Sequence, residues 1–252
     1  MVGRVCAVVV GQGAPGCGED GVHCFGTADQ LFLAGHEIAM PADNMTCAGD
    51  SDAADILCFE ASPFVGPLED LAPFAGGSGN GQEICAWNAT DLACTGGTSV
   101  LEGFGPPRPC VVDVDVGANF ACVTTGEPRV DCLGSMAATS TFPDRVLELG
   151  AGTGHVCART TAGEVWCWGD GRGGELGTGI AQSSRAPLLA ALGGRRAIAL
   201  EAGHHHGCAI VVDEVGAEHV ACWGLNDSGQ SCSGCELPAV FEPSLDDYPT
   251  FP

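Results

Sequence analysis

Cysteine is the residue type whose chemistry and spacing are most informative in this sequence, because a thiol can form a disulfide, bind a metal ion or act as a nucleophile. The chain of 252 residues contains 16 cysteines, and twelve of them fall into six pairs. In five of these pairs the second cysteine is followed two residues later by glycine. The pairs are Cys6 with Cys24, Cys47 with Cys58, Cys85 with Cys94, Cys122 with Cys132, Cys157 with Cys167, and Cys208 with Cys222.

Each pair brackets a turn, which predicts an antiparallel hairpin with a disulfide across it. The clearest instance runs from Cys157 to Cys167, with its midpoint at Ala162. Residues directly opposite each other at a non-hydrogen-bonded position have Cα atoms about 4.5–5.5 Å apart, which a disulfide can span. Metal binding is the alternative, but zinc sites prefer close Cys-x-x-Cys knuckles and a convergent second pair, which this spacing does not supply.

The remaining cysteines are Cys17, Cys110, Cys232 and Cys235. Cys232 and Cys235 have the spacing of a redox or zinc motif, although extra loop disulfides are the favoured interpretation. A high, even cysteine count predicts an oxidising compartment, so we expect the protein to be extracellular, periplasmic or at the cell surface. The apolar run in residues 1–10 is too short for a secretory signal. We therefore expect the targeting signal to lie outside this chain.

Strands must position these cysteines, and the sequence shows where they begin. In the clearest units, apolar residues alternate with acidic or small ones up to a glycine, which lies about five residues before the first cysteine of the pair. Alternation with a period of two residues is typical of a half-buried strand. The clearest stretches are 112–116 before Gly117, 147–151 before Gly152 and 198–202 before Gly203. Repetition of this pattern predicts one domain, 1–252, with units at 1–29, 30–66, 67–105, 106–141, 142–190 and 191–240 and a tail at 241–252.

Two of the units carry a longer motif. Residues 152–158 read Gly-Thr-Gly-His-Val-Cys-Ala, and residues 163–179 then contain Trp-Cys-Trp-Gly and Gly-Glu-Leu-Gly. Residues 203–209 and 222–230 repeat the arrangement with Cys-Trp-Gly and Gly-Gln. The motif resembles the repeat of the regulator of chromosome condensation family, in its cysteine-bearing version from bacterial extracellular proteins. The resemblance implies an all-β fold, a β-propeller with one four-stranded sheet for each repeat.

Departures from the family pattern affect the expected ring. The first three units lack the Trp-Gly run, and there are six units where the family commonly has seven. The resemblance therefore implies about six short blades, in a six-bladed ring, an incomplete ring or part of a larger seven-bladed one. The strand expected before Cys6 is missing, and the segment 237–241 is the candidate to close the ring beside it.

Charge argues against two classes of partner. The chain has 32 acidic residues and nine basic ones, all of them arginine, and a net charge of −23. Such a surface repels phosphate backbones and anionic lipid headgroups, so we expect neither nucleic-acid binding nor membrane binding. No stretch approaches the length of a membrane span. Solubility is the simplest consequence of the charge.

Other residues that invite a chemical role have stronger structural explanations. His204, His205 and His206 are potential metal ligands, but neighbours in an extended chain point to opposite faces, and His206 occupies the position of His155 in the preceding unit. We therefore predict no metal site. Trp168 and Trp223 recur after equivalent cysteines and are expected to pack in the core of their own repeats. The acidic clusters match no calcium loop: Asp50 and Asp52, Glu69 and Asp70, Asp246 and Asp247.

These observations favour a binding or scaffold protein with a protein or carbohydrate ligand on one face of the propeller, where loops such as 14–20 and 180–187 differ most between units. No Gly-x-Ser-x-Gly or His-Glu-x-x-His motif is present, so we predict neither an enzyme nor a cofactor. Alternatives are a lyase or hydrolase that uses carboxylates from several blades, and a protein inhibitor of an extracellular enzyme. The resemblance also implies nucleotide exchange on a small GTPase, against which an oxidising compartment argues.

Overall fold

The computed structural model describes residues 111–231 and 237–245 and, before residue 111, eight strands. Strands and turns make up these residues. Within the described part of the chain, no helix is long and apolar enough to cross a membrane. By their internal contacts the Cα positions group into two compact units, residues 1–116 and 117–252.

The eight strands before residue 111 form small antiparallel sheets, ordered β1-β2, β3-β4-β5 and β6-β7-β8. Their bounds are β1 Val5–Val9, β2 Gly21–Phe25, β3 Ile38–Ala42, β4 Met45–Gly49, β5 Ile56–Phe59, β6 Gly76–Gly79, β7 Glu83–Trp87 and β8 Leu92–Gly96. The backbone register places the predicted cysteine partners directly opposite each other: Cys6 and Cys24, Cys47 and Cys58, Cys85 and Cys94.

Twelve further strands form three antiparallel sheets of four strands, in which chain neighbours pair. Sheet A contains β9 Asp113–Val116, β10 Phe120–Thr124, β11 Arg129–Gly134 and β12 Ala138–Thr141. Sheet B contains β13 Val146–Ala151, β14 His155–Thr160, β15 Val165–Gly169 and β16 Ser184–Leu189. Sheet C contains β17 Arg196–Gly203, β18 His206–Val212, β19 Glu218–Leu225 and β20 Ala239–Leu245.

Disulfides join the second and third strands of all three sheets. The hairpin of sheet B turns through Gly163, whose φ of 81° lies in the left-handed region that glycine adopts at no steric cost. This turn sets a register in which the cysteines face each other. The Cα separations are 4.0 Å for Cys122–Cys132, 4.1 Å for Cys157–Cys167 and 4.1 Å for Cys208–Cys222.

The core of this region lies between consecutive sheets, because each sheet buries apolar side chains against the next. One cluster joins sheets A and B and includes Phe120, Phe142 and Trp168, with the Phe142 and Trp168 ring centroids 5.7 Å apart. A second joins sheets B and C and includes Leu176 and Trp223. Trp168 is 2% exposed and Trp223 is fully buried, so both are core residues as predicted, although each packs between consecutive sheets rather than within one repeat alone.

Arginine side chains tie the hairpin ends of neighbouring sheets together. Arg145 Nε donates to the Gly126 carbonyl across sheets A and B at 2.5 Å, and Arg196 Nε donates to the Ala162 carbonyl across sheets B and C at 3.1 Å. The next residue also bonds across the boundary, since the Ala197 amide donates to the Gly163 carbonyl at 2.8 Å. The two arginines hold equivalent places in their repeats, so the same link recurs from one sheet to the next.

Two expected boundaries differ in the structure. Strand β20 pairs with β19 as the fourth strand of sheet C and continues to Leu245, so the segment 237–241 completes its own sheet and the strand runs beyond residue 240. The expected loop 180–187 is shorter, because β16 begins at Ser184. Both differences arise because a fourth strand pairs along the edge of the third and satisfies backbone groups that a loop would leave open.

We predict that the cysteines facing each other in the first three sheets also form disulfides. The register of these strands gives the same cross-strand opposition as in sheets A to C. Non-reducing peptide mapping by mass spectrometry should find Cys6 linked to Cys24, Cys47 to Cys58 and Cys85 to Cys94. Free thiols or links between different sheets would contradict the assignment.

The Cys157–Cys167 disulfide of sheet B should contribute measurably to the stability of the protein. Replacing both Cys157 and Cys167 by alanine is expected to lower the free energy of unfolding by about 2–4 kcal/mol, because the unfolded chain gains entropy when a short loop is no longer closed. Urea unfolding of the two proteins measures the difference. The Cys122→Ala and Cys132→Ala pair is the matched control, since its sequence separation is also 10. An unchanged urea midpoint of unfolding in both variants would contradict a stabilising role for these disulfides.

Candidate binding surface

The turns between the first and second strands of sheets A, B and C lie side by side. We call residues 117–119, 152–154 and 203–205 the turn row. Within each of the first two turns the glycine amide donates to the carbonyl three residues later, Gly117 to Phe120 and Gly152 to His155, both at 2.9 Å. Thr153 links the turns, because its amide donates to the His204 carbonyl at 2.9 Å and its carbonyl accepts from Ala118 at 3.4 Å.

A ring packed on a glycine sets the shape of each turn. A Cβ added at Gly152 would lie 2.2 Å from His155 Cε1, and one at Gly203 would lie 2.2 Å from His206 Cε1. In sheet A the ring of Phe120 plays this part against Gly117. Any side chain at these glycines would displace the ring, so the glycine three residues before the ring is a steric requirement.

The loop of residues 170–183 lies at the same end of the sheets as the turn row, since it leaves the third strand of sheet B where the second strand begins. Trp223 fixes this loop. Its Nε1 donates to the Glu175 carbonyl at 2.9 Å, and its ring lies 3.1 Å from the position of a Cβ at Gly177. Leu176 is 1% exposed beside it. We call the turn row and residues 170–183 together the turn face.

Glu175 connects the loop to the turn row electrostatically. Its carboxylate is buried and accepts a hydrogen bond from the Gly173 amide at 2.8 Å. Its other oxygen lies 3.7 Å from Nδ1 of His205, whose side chain is 46% exposed. A half-exposed imidazole beside a buried carboxylate gives this part of the surface a polar contact that reaches from one repeat to the next.

Two buried imidazoles lie beneath the turn row. The pKa of His155 is lowered from 6.5 to about 3, chiefly by burial and to a smaller extent by the neighbouring His206 and His205. Burial also lowers the pKa of His206, again with a contribution from His204 and His205. Both imidazoles are therefore neutral at neutral pH.

The three consecutive histidines do not converge. His206 is buried, His205 is exposed, and the ring centroids of His204 and His205 are 6.3 Å apart at an interplanar angle of 70°. In residues 111–231 and 237–245, no group of three or more His, Cys, Asp or Glu side chains is arranged to hold a metal ion. The remaining candidates lie outside the described residues: Cys17, Cys110, Cys232, Cys235, the loop 14–20 and the acidic clusters at 50–52, 69–70 and 246–247.

Sequence reasoning missed the role of Asn226. Its side chain is buried, donates to the Leu237 carbonyl at 2.9 Å and accepts from the Ser231 amide at 2.9 Å, so it closes the loop that leads to β20. The available signal was its place two residues after Trp-Gly, the place that Gly171 holds in the preceding repeat. Both residues accept the same turn bond, from Gly229 and Gly174 respectively, at 3.2 Å.

Comparison with known proteins finds a repeat match within sheets B and C. Residues 146–175 and 162–210 match the Regulator of chromosome condensation (RCC1) repeat. RCC1 domain-containing protein 1 of Mus musculus is 40% identical over 87 residues, 34% of this chain and 22% of that protein. The Homo sapiens protein of the same name is 41% identical over the same shares. The chain thus spans about a fifth of the length of these curated relatives.

Solved structures identify the fold as a β-propeller. Prp20p from Saccharomyces cerevisiae superposes with a TM-score of 0.63 at 15% identity, over 85% of this chain and 64% of that one. Human WBSCR16 gives 0.63 at 14% identity, over 92% and 72%. The ectodomain of the receptor kinase CR4 from Physcomitrella patens gives 0.62 at 16% identity, over 88% and 59%. The expected fold class is confirmed, and these relatives are eukaryotic rather than bacterial.

Gly152 provides a test of the turn geometry. Gly152→Ala should lower the free energy of unfolding by about 1–3 kcal/mol, because the added methyl group would overlap the His155 ring and the Gly203 carbonyl oxygen, 2.2 and 2.5 Å away. Gly216→Ala is the matched control, because open space surrounds that Cβ and only the backbone strain of its φ of 85° is added. Thermal and urea unfolding should show the larger loss for Gly152→Ala. Equal losses would mean that the glycine and ring do not form a tight contact.

Proposed function

We propose that this chain is a secreted or cell-surface binding scaffold of the RCC1-repeat type, of the disulfide-bearing kind, and that it binds its ligand on the turn face. The observation that carries the proposal is the bonding of the turns of sheets A, B and C to one another, which makes neighbouring repeats present one continuous surface. The repeat match supports the scaffold role, and the three disulfides support an oxidising compartment.

The turn face is built to hold its shape before a ligand arrives. The amides of Ala118 and Thr153 bond neighbouring turns to each other, and loop 170–183 is fixed to Trp223. Exposed side chains project from this fixed backbone: Asn119, Thr153, Asp170, Arg172, Ile180 and His205. Preorganisation of this kind lowers the entropic cost of binding, because fewer groups become ordered on contact.

A protein ligand fits this surface better than a carbohydrate. The exposed large apolar side chains of the described residues are all aliphatic, and Ile180, at 55% exposure, is the one on the turn face. Sugar recognition relies on exposed aromatic faces, whereas protein interfaces combine an apolar contact with arginine and hydrogen-bonding groups. Among the proteins with a similar fold, Prp20p has binding properties towards Gsp1p and histones, and yeast RCC1 binds Kap60. Gsp1p, histones and Kap60 are partners of those proteins and are not assigned to this chain.

Capture of ligands with matched surface variants tests the proposal. Immobilised protein should enrich a ligand from the extracellular proteins of its source, identified by mass spectrometry. Thr153→Arg and Ile180→Asp should each weaken its affinity at least tenfold, about 1.4 kcal/mol, since both residues are exposed on the turn face. Affinity is then measured with the purified ligand.

Val215→Arg is the control, because Val215 is 87% exposed at a hairpin tip on the opposite end of the sheets. It should bind as the unaltered protein does. A loss of binding in Val215→Arg alone would place the ligand elsewhere, and turnover of a candidate substrate by the purified protein would favour the lyase or hydrolase alternative.

A further inference from the structure

A ring occupies the same buried position in three consecutive repeats, but its chemistry changes. Phe120 and His155 are fully buried and His206 is 7% exposed. Each ring covers the glycine three residues earlier in the chain. Sheet A therefore shows that an apolar ring satisfies the packing at this position, and the imidazoles of sheets B and C add a proton-binding group that the packing does not require.

The nitrogen atoms of the His155 imidazole contribute little to the stability of the folded protein. Neither Nδ1 nor Nε2 has a hydrogen-bond partner among the described groups, although both atoms are buried. A buried polar atom without a partner costs about 1–3 kcal/mol relative to an apolar one. Phenylalanine at this position would avoid that cost, so the imidazole is retained at some expense to the stability of the neutral, folded form.

The surroundings of His155 disfavour its protonation in the folded protein. Burial, His206 and His205 all lower the pKa of His155, and the backbone of His206 is the one contribution that raises it. On sheet B, the Asp170 carboxylate lies beside Gly154, and Glu175 is directed to His205. On sheet A the corresponding ring is Phe120, which does not titrate.

We propose that His155 and His206 form a proton-operated latch, which holds the turn row closed while both imidazoles are neutral and opens it in acidic surroundings. An opened turn would expose the rings to water, where each can bind a proton. The bonds that Thr153 makes to Ala118 and His204 would break as the turns separate. The latch is a property of the chain alone; release of a ligand from the turn face would follow only if the proposed function is also correct.

The direction of the effect follows from where His155 titrates. Its pKa is about 3 in the folded protein and 6.5 when the ring is exposed. The open form therefore binds protons that the closed form does not, and the closed form loses stability as the pH falls from about 6.5 towards 3. For His155 alone, the ratio of open to closed molecules should rise about 30-fold between pH 8 and pH 5.

Amide hydrogen exchange of the intact protein tests the latch. Protection factors, which correct for the intrinsic pH dependence of exchange, should fall by at least about 30-fold at the amides of Gly152 and Thr153 between pH 8 and pH 5, because His155 alone accounts for that much and His206 adds to it. His155→Phe, which copies sheet A, should remove the His155 share of that fall, about 30-fold. His155→Phe combined with His206→Phe should abolish the fall. His219→Gln should leave it unchanged, because His219 pairs with Asp213 in the hairpin at the other end of sheet C.

A fall in protection that is undiminished in His155→Phe, or no fall in the unaltered protein, would overturn the proposal. Should His155→Phe not fold, the imidazole NMR signals of the unaltered protein decide the matter. His155 that titrates near 6.5 while the turn-row amides stay protected would equally exclude a latch. Ligand affinity plays no part in these measurements, so their failure is distinguishable from failure of the proposed function.

Discussion

The contact between a glycine and the ring three residues after it shapes the end of each sheet on which the proposed surface depends. The ring fills the volume that a Cβ would need, which brings the first and second strands together through a turn of two intervening residues. Because the contact recurs in sheets A, B and C, their turns are alike enough for Thr153 to bond both neighbours. A larger residue at any of these glycines would disturb the neighbouring turn as well as its own.

Links between repeats act at both ends of the sheets. At one end the Trp223 indole holds Glu175 of the preceding repeat, and at the other Arg196 holds the Ala162 carbonyl. Between them, the disulfides of sheets A and B lie buried in the interfaces with the following sheet. Stability in repeat proteins is largely a sum of such nearest-neighbour terms. Damage to one repeat should therefore be felt most by the repeat beside it.

Much of this architecture is predictable because it depends on local patterns. Alternation before Gly152 and Gly203 and the spacing of Cys157 and Cys167 arise from strand period and hairpin length, which are properties of neighbouring residues in the chain. The place of β20 was harder to predict, since its partner β19 is separated from it by a loop of variable length. Asn226, Arg145 and Arg196 were missed for a related reason. Their side chains bond backbone carbonyls, and any residue type supplies a carbonyl, so the sequence of the acceptor carries no signal.

Because the protein is strongly negative, the titration of its buried imidazoles can be distinguished by the sign of its effect on stability as the pH falls. With a net charge of −23 and an isoelectric point near 4.2, the protein loses net charge as the pH falls from neutral. Weaker self-repulsion should by itself favour the compact state over that interval. Asp213 stays ionised through most of it, since hydrogen bonds from Ala217 and His219 hold its pKa below the ordinary value. A loss of stability between pH 6.5 and 5 thus has the sign opposite to the effect of weaker self-repulsion. Carboxyl groups such as Asp213 titrate below this interval, so buried neutral histidines are the groups whose titration gives that sign within it.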